Sequence, residues 1–145
     1  MAEIQEFFIK ENTIEHIPED AYKSINYIID DIDAYSRTTY KSVYVIDYFK
    51  QNFLYVSDNP LLLCGMTADE VRELGYSFYI NQVTPEDLNL LLEVNVAGFM
   101  FLANVDKKDL CNYTISYDFH IVNKVSGKKW LINHQITPLR LTEEK

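Results

Sequence analysis

The sequence predicts an α+β fold in which strands are segregated from helices: an antiparallel sheet, short helices and one long helix on one face of it, preceded by an amphipathic helix. Three observations predict it. Two pairs of β-branched and aromatic runs each flank a polar turn; a long stretch of helical periodicity lies between the pairs; and an acidic first quarter repeats its apolar residues every three or four positions. The 145 residues make room for one ordinary domain and a short appendage. Their 48% hydrophobic and 14% aromatic content, with four Gly and four Pro, is enough apolar surface to offset the entropy of folding.

Residues 1 to 34 hold nine acidic side chains against Lys10 and Lys23, a net of −7 out of −9 for the chain, so residues 1–39 read as an acidic helical extension. Ile4, Phe7 and Phe8 suggest a short helix there. Pro18 followed by Glu19 and Asp20 suits the positive end of a helix dipole, and Ala21, Ile25, Ile28, Ile29 and Ile32 form a stripe that must be covered, by a sheet face or by a second copy.

Residues 40–145 form the second unit. Val43-Tyr44-Val45-Ile46 and Phe53-Leu54-Tyr55-Val56 around Lys50-Gln51-Asn52 predict a hairpin. Leu61 to Cys64 is too short a run for a long helix, and Thr67-x-x-Glu70 is a capping box that opens a short one. Thr84-Pro85-Glu86-Asp87 opens the longest helix, which Leu88, Leu91, Leu92, Val96, Phe99 and Leu102 continue. Gly98 inside it costs about 1 kcal/mol relative to Ala, so packing there is tight or the helix bends. Tyr113 to Ile121 alternates as a strand, turns near Ser126-Gly127, and returns through Trp130, Ile132, His134 and Ile136.

This order resembles the PAS sensor domain over residues of about 40 to 141, a length suited to one domain. Val45-Ile46-Asp47, Tyr55-Val56-Ser57, Cys64-Gly65-Met66-Thr67-Ala68-Asp69-Glu70-Val71, Thr84-Pro85-Glu86-Asp87-Leu88 and Ser126-Gly127-Lys128-Lys129-Trp130 carry the likeness. More narrowly, Asn112 to Leu141 is similar to the PAS half of bacterial LuxR-type helix-turn-helix regulators. The resemblance implies a cytosolic sensory module, a homodimer, a small-molecule ligand and a DNA-binding output domain downstream in a longer protein. It also implies a fifth, central strand, which would begin where this sequence reaches Glu143-Glu144-Lys145; that strand is expected from a longer chain or from elsewhere.

Chemistry is argued against. A flavin–thiol adduct needs a cysteine where Gly75 to Gln82 places Phe78, and haem needs an axial His that Thr84 to Asp106 lacks, so no cofactor is expected. His16, His120 and His134 share no metal spacing, no nucleophile elbow or phosphate loop occurs, and enzymatic activity is not expected. The net charge repels phosphate backbones and anionic lipid, so this chain itself binds neither nucleic acid nor membrane. Cys64 and Cys111 form no C-x-x-C pair, and no run nears about 18 apolar residues, both as expected of a cytoplasmic protein.

By resemblance, Tyr44, Ile46, Leu63 and Cys64 line the family's cavity, or else pack as ordinary core. Trp130, Ile132 and His134 share a strand face toward the helices, where His134 either contacts a ligand or donates to a nearby carbonyl or carboxylate inside the core. An alternative function follows from eleven Tyr and eight Phe: rings fill the cavity, leaving a dimerisation or docking module that binds no ligand.

Overall fold

A computed structural model of the chain describes residues 3–58, 64–123, 125–139 and 141. Mixed α+β structure forms in the predicted order, but as two separate two-stranded antiparallel sheets. Strand β1 (Tyr44–Asp47) pairs with β2 (Asn52–Val56), and β3 (Ile115–Val122) pairs with β4 (Lys129–Ile136). Among the described residues no ladder joins the two hairpins, so the antiparallel sheet expected from the sequence, itself expected to lack its central fifth strand, is present as two ribbons. The reason is simple: no described strand lies between them to carry hydrogen bonds across.

The first hairpin closes through Asp47, whose Oδ1 accepts from the backbone N–H of Phe49 at 2.8 Å and of Lys50 at 3.0 Å. Gln51 takes the left-handed backbone the turn requires, at φ 56°. The register slips between Val45 and Ile46, so Ile46 faces Phe53 while Val45 faces Tyr55. That bulge puts Phe53 and Val56 on one face with Tyr44 and Ile46, and turns Tyr55 and Asp47 to the other.

The outward face receives α1 (Glu19–Ser36). Tyr22 donates its hydroxyl to Asp47 at 2.7 Å, Tyr55 donates to Asp33 at 2.9 Å, and Ser36 Oγ meets the Tyr55 hydroxyl at 2.8 Å. Lys50 lies 4.3 Å above the Tyr22 ring. Of the predicted stripe, Ile25 is buried, Ile28, Ile29 and Ile32 are half-buried and Ala21 is exposed. The helix is held to its own hairpin largely by polar tethers.

Helix α2 (Ala68–Leu74) starts at the expected capping box, with the Glu70 N–H donating to Thr67 Oγ1 at 3.1 Å, and packs beside β2. The sequence reading did not separate α3 (Ser77–Gln82) from the helices around it. The long helix α4 (Pro85–Ala103) buries Leu88, Leu91 and Leu92. Its opposite flank stays apolar and exposed at Leu90, Met100 and Phe101. At Gly98 the tight-packing alternative holds: an added Cβ would stand 2.7 Å from Cδ1 of Ile115 on β3.

The N-terminal segment makes two 3₁₀ turns, Ile4–Phe7 and Lys10–Asn12, that pack along α4 in place of the short helix expected there. Another 3₁₀ turn, Lys107–Asn112, leads into β3. Phe7 is only 2% exposed and belongs to the same core as Phe53, Phe78, Tyr79, Phe119 and Ile121.

A clamp fixes the start of α4 to β3. Thr84 N–H donates to the His120 carbonyl at 3.1 Å, while Asp87 Oδ2 accepts from the His120 N–H and meets its ring Nδ1, both at 2.7 Å. His120, whose face the sequence left open, therefore points away from the core, opposite Leu131. Hydrogen bonds from the His120 backbone and side chain hold the Asp87 carboxyl below its usual 3.8. Replacing Asp87 with Ala is expected to cost about 2 kcal/mol in urea unfolding, a typical value for hydrogen bonds to a charged group. A depressed carboxyl stabilises the fold above the unfolded-state value and loses that contribution as pH falls through the folded one. The gap between wild type and Asp87→Ala should accordingly be full at pH 5 to 7, on the order of the ordinary working range, and narrow below pH 3.8.

Candidate functional site

Both hairpins, α3, α4 and the N-terminal segment meet at a small, partly open cavity of about 10 Å³, room for roughly one water molecule. Ile46 and Tyr48 reach it from the first hairpin, and Tyr117, His134 and Ile136 from the second. Tyr76 and Tyr79 close it from the α3 side, Leu91 and Asn95 from α4, and Phe7 from the N-terminal segment.

The lining is ring-rich and polar at once. His134 stacks on Tyr44, centroids 5.3 Å apart and planes at 16°, and its Nδ1 meets the Tyr117 hydroxyl at 2.5 Å. The Tyr79 hydroxyl donates to that of Tyr44 at 3.2 Å. Tyr76 packs against Phe7, Phe53 and Tyr79 at 5.2, 5.9 and 5.3 Å. Among the described residues, Nε2 of His134 has no hydrogen-bond partner although the side chain is only 8% exposed.

Burial sets the electrostatics. It raises the Tyr48 hydroxyl to about 12, lifts Tyr76 and Tyr79 well above the ordinary phenol range, and does the same to Tyr117. It lowers His134 to about 4. Every titratable ring here is neutral at pH 7, on the order of the cytosolic value, so the site offers hydroxyls and one imidazole but no charge. Such groups can accept and donate hydrogen bonds without carrying charge. Among the described residues no group of three His, Cys, Asp or Glu side chains is placed to hold a metal ion.

Of the residues singled out from sequence, Ile46 and His134 line the cavity, and Tyr44 stands directly behind His134. Ile132 and Cys64 sit in or against the surrounding core. Burial raises the Cys64 thiol to about 11, which makes it a poor nucleophile at neutral pH. Trp130, paired with Ile121, is 39% exposed under Lys128 and does not line the cavity. Leu63 lies outside the described residues. His134 meets a tyrosine hydroxyl where the sequence reading expected a carbonyl or carboxylate partner.

Sequence reasoning missed Tyr48, Tyr76, Tyr79, Tyr117 and Asn95 as cavity residues. Alternation put Tyr117 on the right face, but Tyr48 sits in the turn and Tyr76 just ahead of α3, where no periodicity assigns a direction. Phe7 carried a hydrophobic signal with no element to aim it. Comparison of the chain with family models, curated proteins and solved structures returns no match.

The buried imidazole generates a pH dependence separate from that of Asp87. An unperturbed His titrates at 6.5 and the folded His134 at about 4, so on acidification the unfolded state binds its proton first. Stability should be full above pH 6.5 and fall by about 3 kcal/mol, order of magnitude, on the way to pH 4. His134→Gln, measured by urea unfolding at each pH, should flatten that decline.

Proposed function

We propose that the chain is a non-catalytic sensory module of the PAS type, acting within a cytosolic signalling or transcription regulator. One observation carries the reading: four tyrosines and a histidine, with Tyr76, Tyr79 and His134 buried and Tyr48 and Tyr117 half-buried, converge on a cavity at the meeting point of both hairpins and the long helix. Burying hydroxyls is costly unless they are hydrogen-bonded, and a core needed only for packing is better made of Phe and Leu. Inward-facing donors and acceptors in an apolar shell are what recognition of a small neutral molecule requires. The order of hairpin, short helices, long helix and hairpin supports the same reading.

In this proposal the signal leaves through surfaces. Helix α1 is tied to the first hairpin by Tyr22 and Tyr55, so a change in that hairpin alters how α1 presents its exposed residues to a second copy. The proposed output is a DNA-binding domain in the longer protein, since the net charge of −9 on this chain repels nucleic acid.

A second reading, a docking or dimerisation module that binds no ligand, is favoured by the size of the cavity, about 10 Å³. Native mass spectrometry of the gently purified chain separates the two. A co-purifying small molecule is expected for a sensor; a ligand-free chain in every preparation, forming a concentration-dependent dimer by light scattering, would leave docking as the function.

A further inference from the structure

The Phe7 ring that closes one side of the cavity belongs to a segment built from short turns. Among the described residues of the N-terminal segment, only Phe7 and Asn12 are buried up to residue 17, at 2% and 4% exposure. Around them are two 3₁₀ turns of four and three residues, without a helix or a strand ladder. Segments of that kind open at low free-energy cost compared with the core they rest on. Yet Phe7 is held as a ligand would be held. Its ring lies 5.2 Å from that of Tyr76 and 5.7 Å from that of Tyr79, and its backbone carbonyl accepts two amide hydrogen bonds, from Asn95 Nδ2 on α4 and from Asn12 Nδ2, each 2.8 Å.

We propose that the Phe7 seat is a binding site for a small, uncharged aromatic carbonyl compound, which the segment Glu3–Thr13 occupies in cis until such a compound displaces it. This rests on the sensory reading above and names the class of molecule sensed. Withdrawing the phenyl group from beside the existing void leaves a space on the order of 100 Å³ or more, the scale at which an apolar protein cavity admits a benzene-sized ring. Asn95 then offers its Nδ2 to the oxygen that replaces the Phe7 carbonyl, and His134, across the cavity, has an unpartnered Nε2 for a second polar group. Among the described residues no Lys or Arg lines the cavity, so a carboxylate would be buried without a counter-charge; the neutral amide or ketone is the form that fits. The same site explains the small void: its occupant is already part of the chain.

The test uses the full chain and three probes on one phenylpropyl skeleton: 3-phenylpropanamide, propylbenzene, which lacks the carbonyl, and 3-phenylpropanoate, which is charged. In wild type, hydrogen exchange read by mass spectrometry should rise several-fold over residues 3–13 with the amide and not with the other two, while β3 and β4 stay protected. In Phe7→Ala the amide should bind about five- to tenfold more tightly than propylbenzene, the worth of one buried hydrogen bond, and Asn95→Leu in that background should erase the difference. If Phe7→Ala does not fold, Phe7→Leu replaces it, with the same ranking of probes expected. Equal affinity for amide and propylbenzene would reduce the site to a plain hole left by truncation and overturn the proposal. So would unchanged exchange of residues 3–13 in wild type with saturating amide. A wild-type chain that co-purifies with some other molecule while residues 3–13 stay protected overturns this inference and leaves the sensory reading standing.

Discussion

The stack of His134 on Tyr44 is the contact on which the arrangement of the two hairpins depends. With no ladder between the ribbons among the described residues, side chains must do what backbone hydrogen bonds do inside a continuous sheet. Tyr44 also receives the Tyr79 hydroxyl, and His134 meets that of Tyr117, so a single pair of rings connects β1, β4, α3 and β3. Ring contacts of this kind contribute about 0.5–1.5 kcal/mol each beyond area burial, less than a ladder of several bonds. The two halves are therefore coupled through the groups that line the cavity, and anything that reorients those groups also changes how the halves sit together.

Burial also sets the protonation of the same groups. The tyrosines are pushed up and the histidine down, away from neutral pH in both directions, which removes their usefulness as acids and bases. What remains is directional hydrogen bonding in a region of low dielectric, where an unmatched group is costly and a matched one discriminates well. The unpartnered nitrogen of His134 is the point at which that discrimination is unfinished within the chain itself.

Much of the fold was legible because its signals are local. The capping box at Thr67 and Glu70, the acidic start of α4, and the alternation of Tyr117, Phe119 and Ile121 each depend on residues within a turn or a strand of one another. The bulge at Val45 and Ile46 was not legible, because it is a property of the pair of strands; it changes which of Phe53, Leu54 and Tyr55 faces the core. The site was half legible for the same reason. Alternation could place His134 on an inward face and the resemblance suggested Ile46, whereas Phe7 is buried by contacts with residues about seventy and ninety positions away, in the α3 region and α4. Nor could a count of tyrosines show that their hydroxyls would be turned inward around one point.

The long helix is apolar on both flanks, and that has a consequence during synthesis. Its covering strand β3 and the partner β4 leave the ribosome only after it, some thirty residues later, an interval of about two to six seconds at usual elongation rates. Until Ile115 settles over Gly98, the nascent chain presents Leu88, Leu91 and Leu92 on one side and Leu90, Met100 and Phe101 on the other. The second group stays about half exposed in the folded chain, with Phe101 meeting the ring of Tyr113. A chaperone that binds short apolar segments would find such a stretch there.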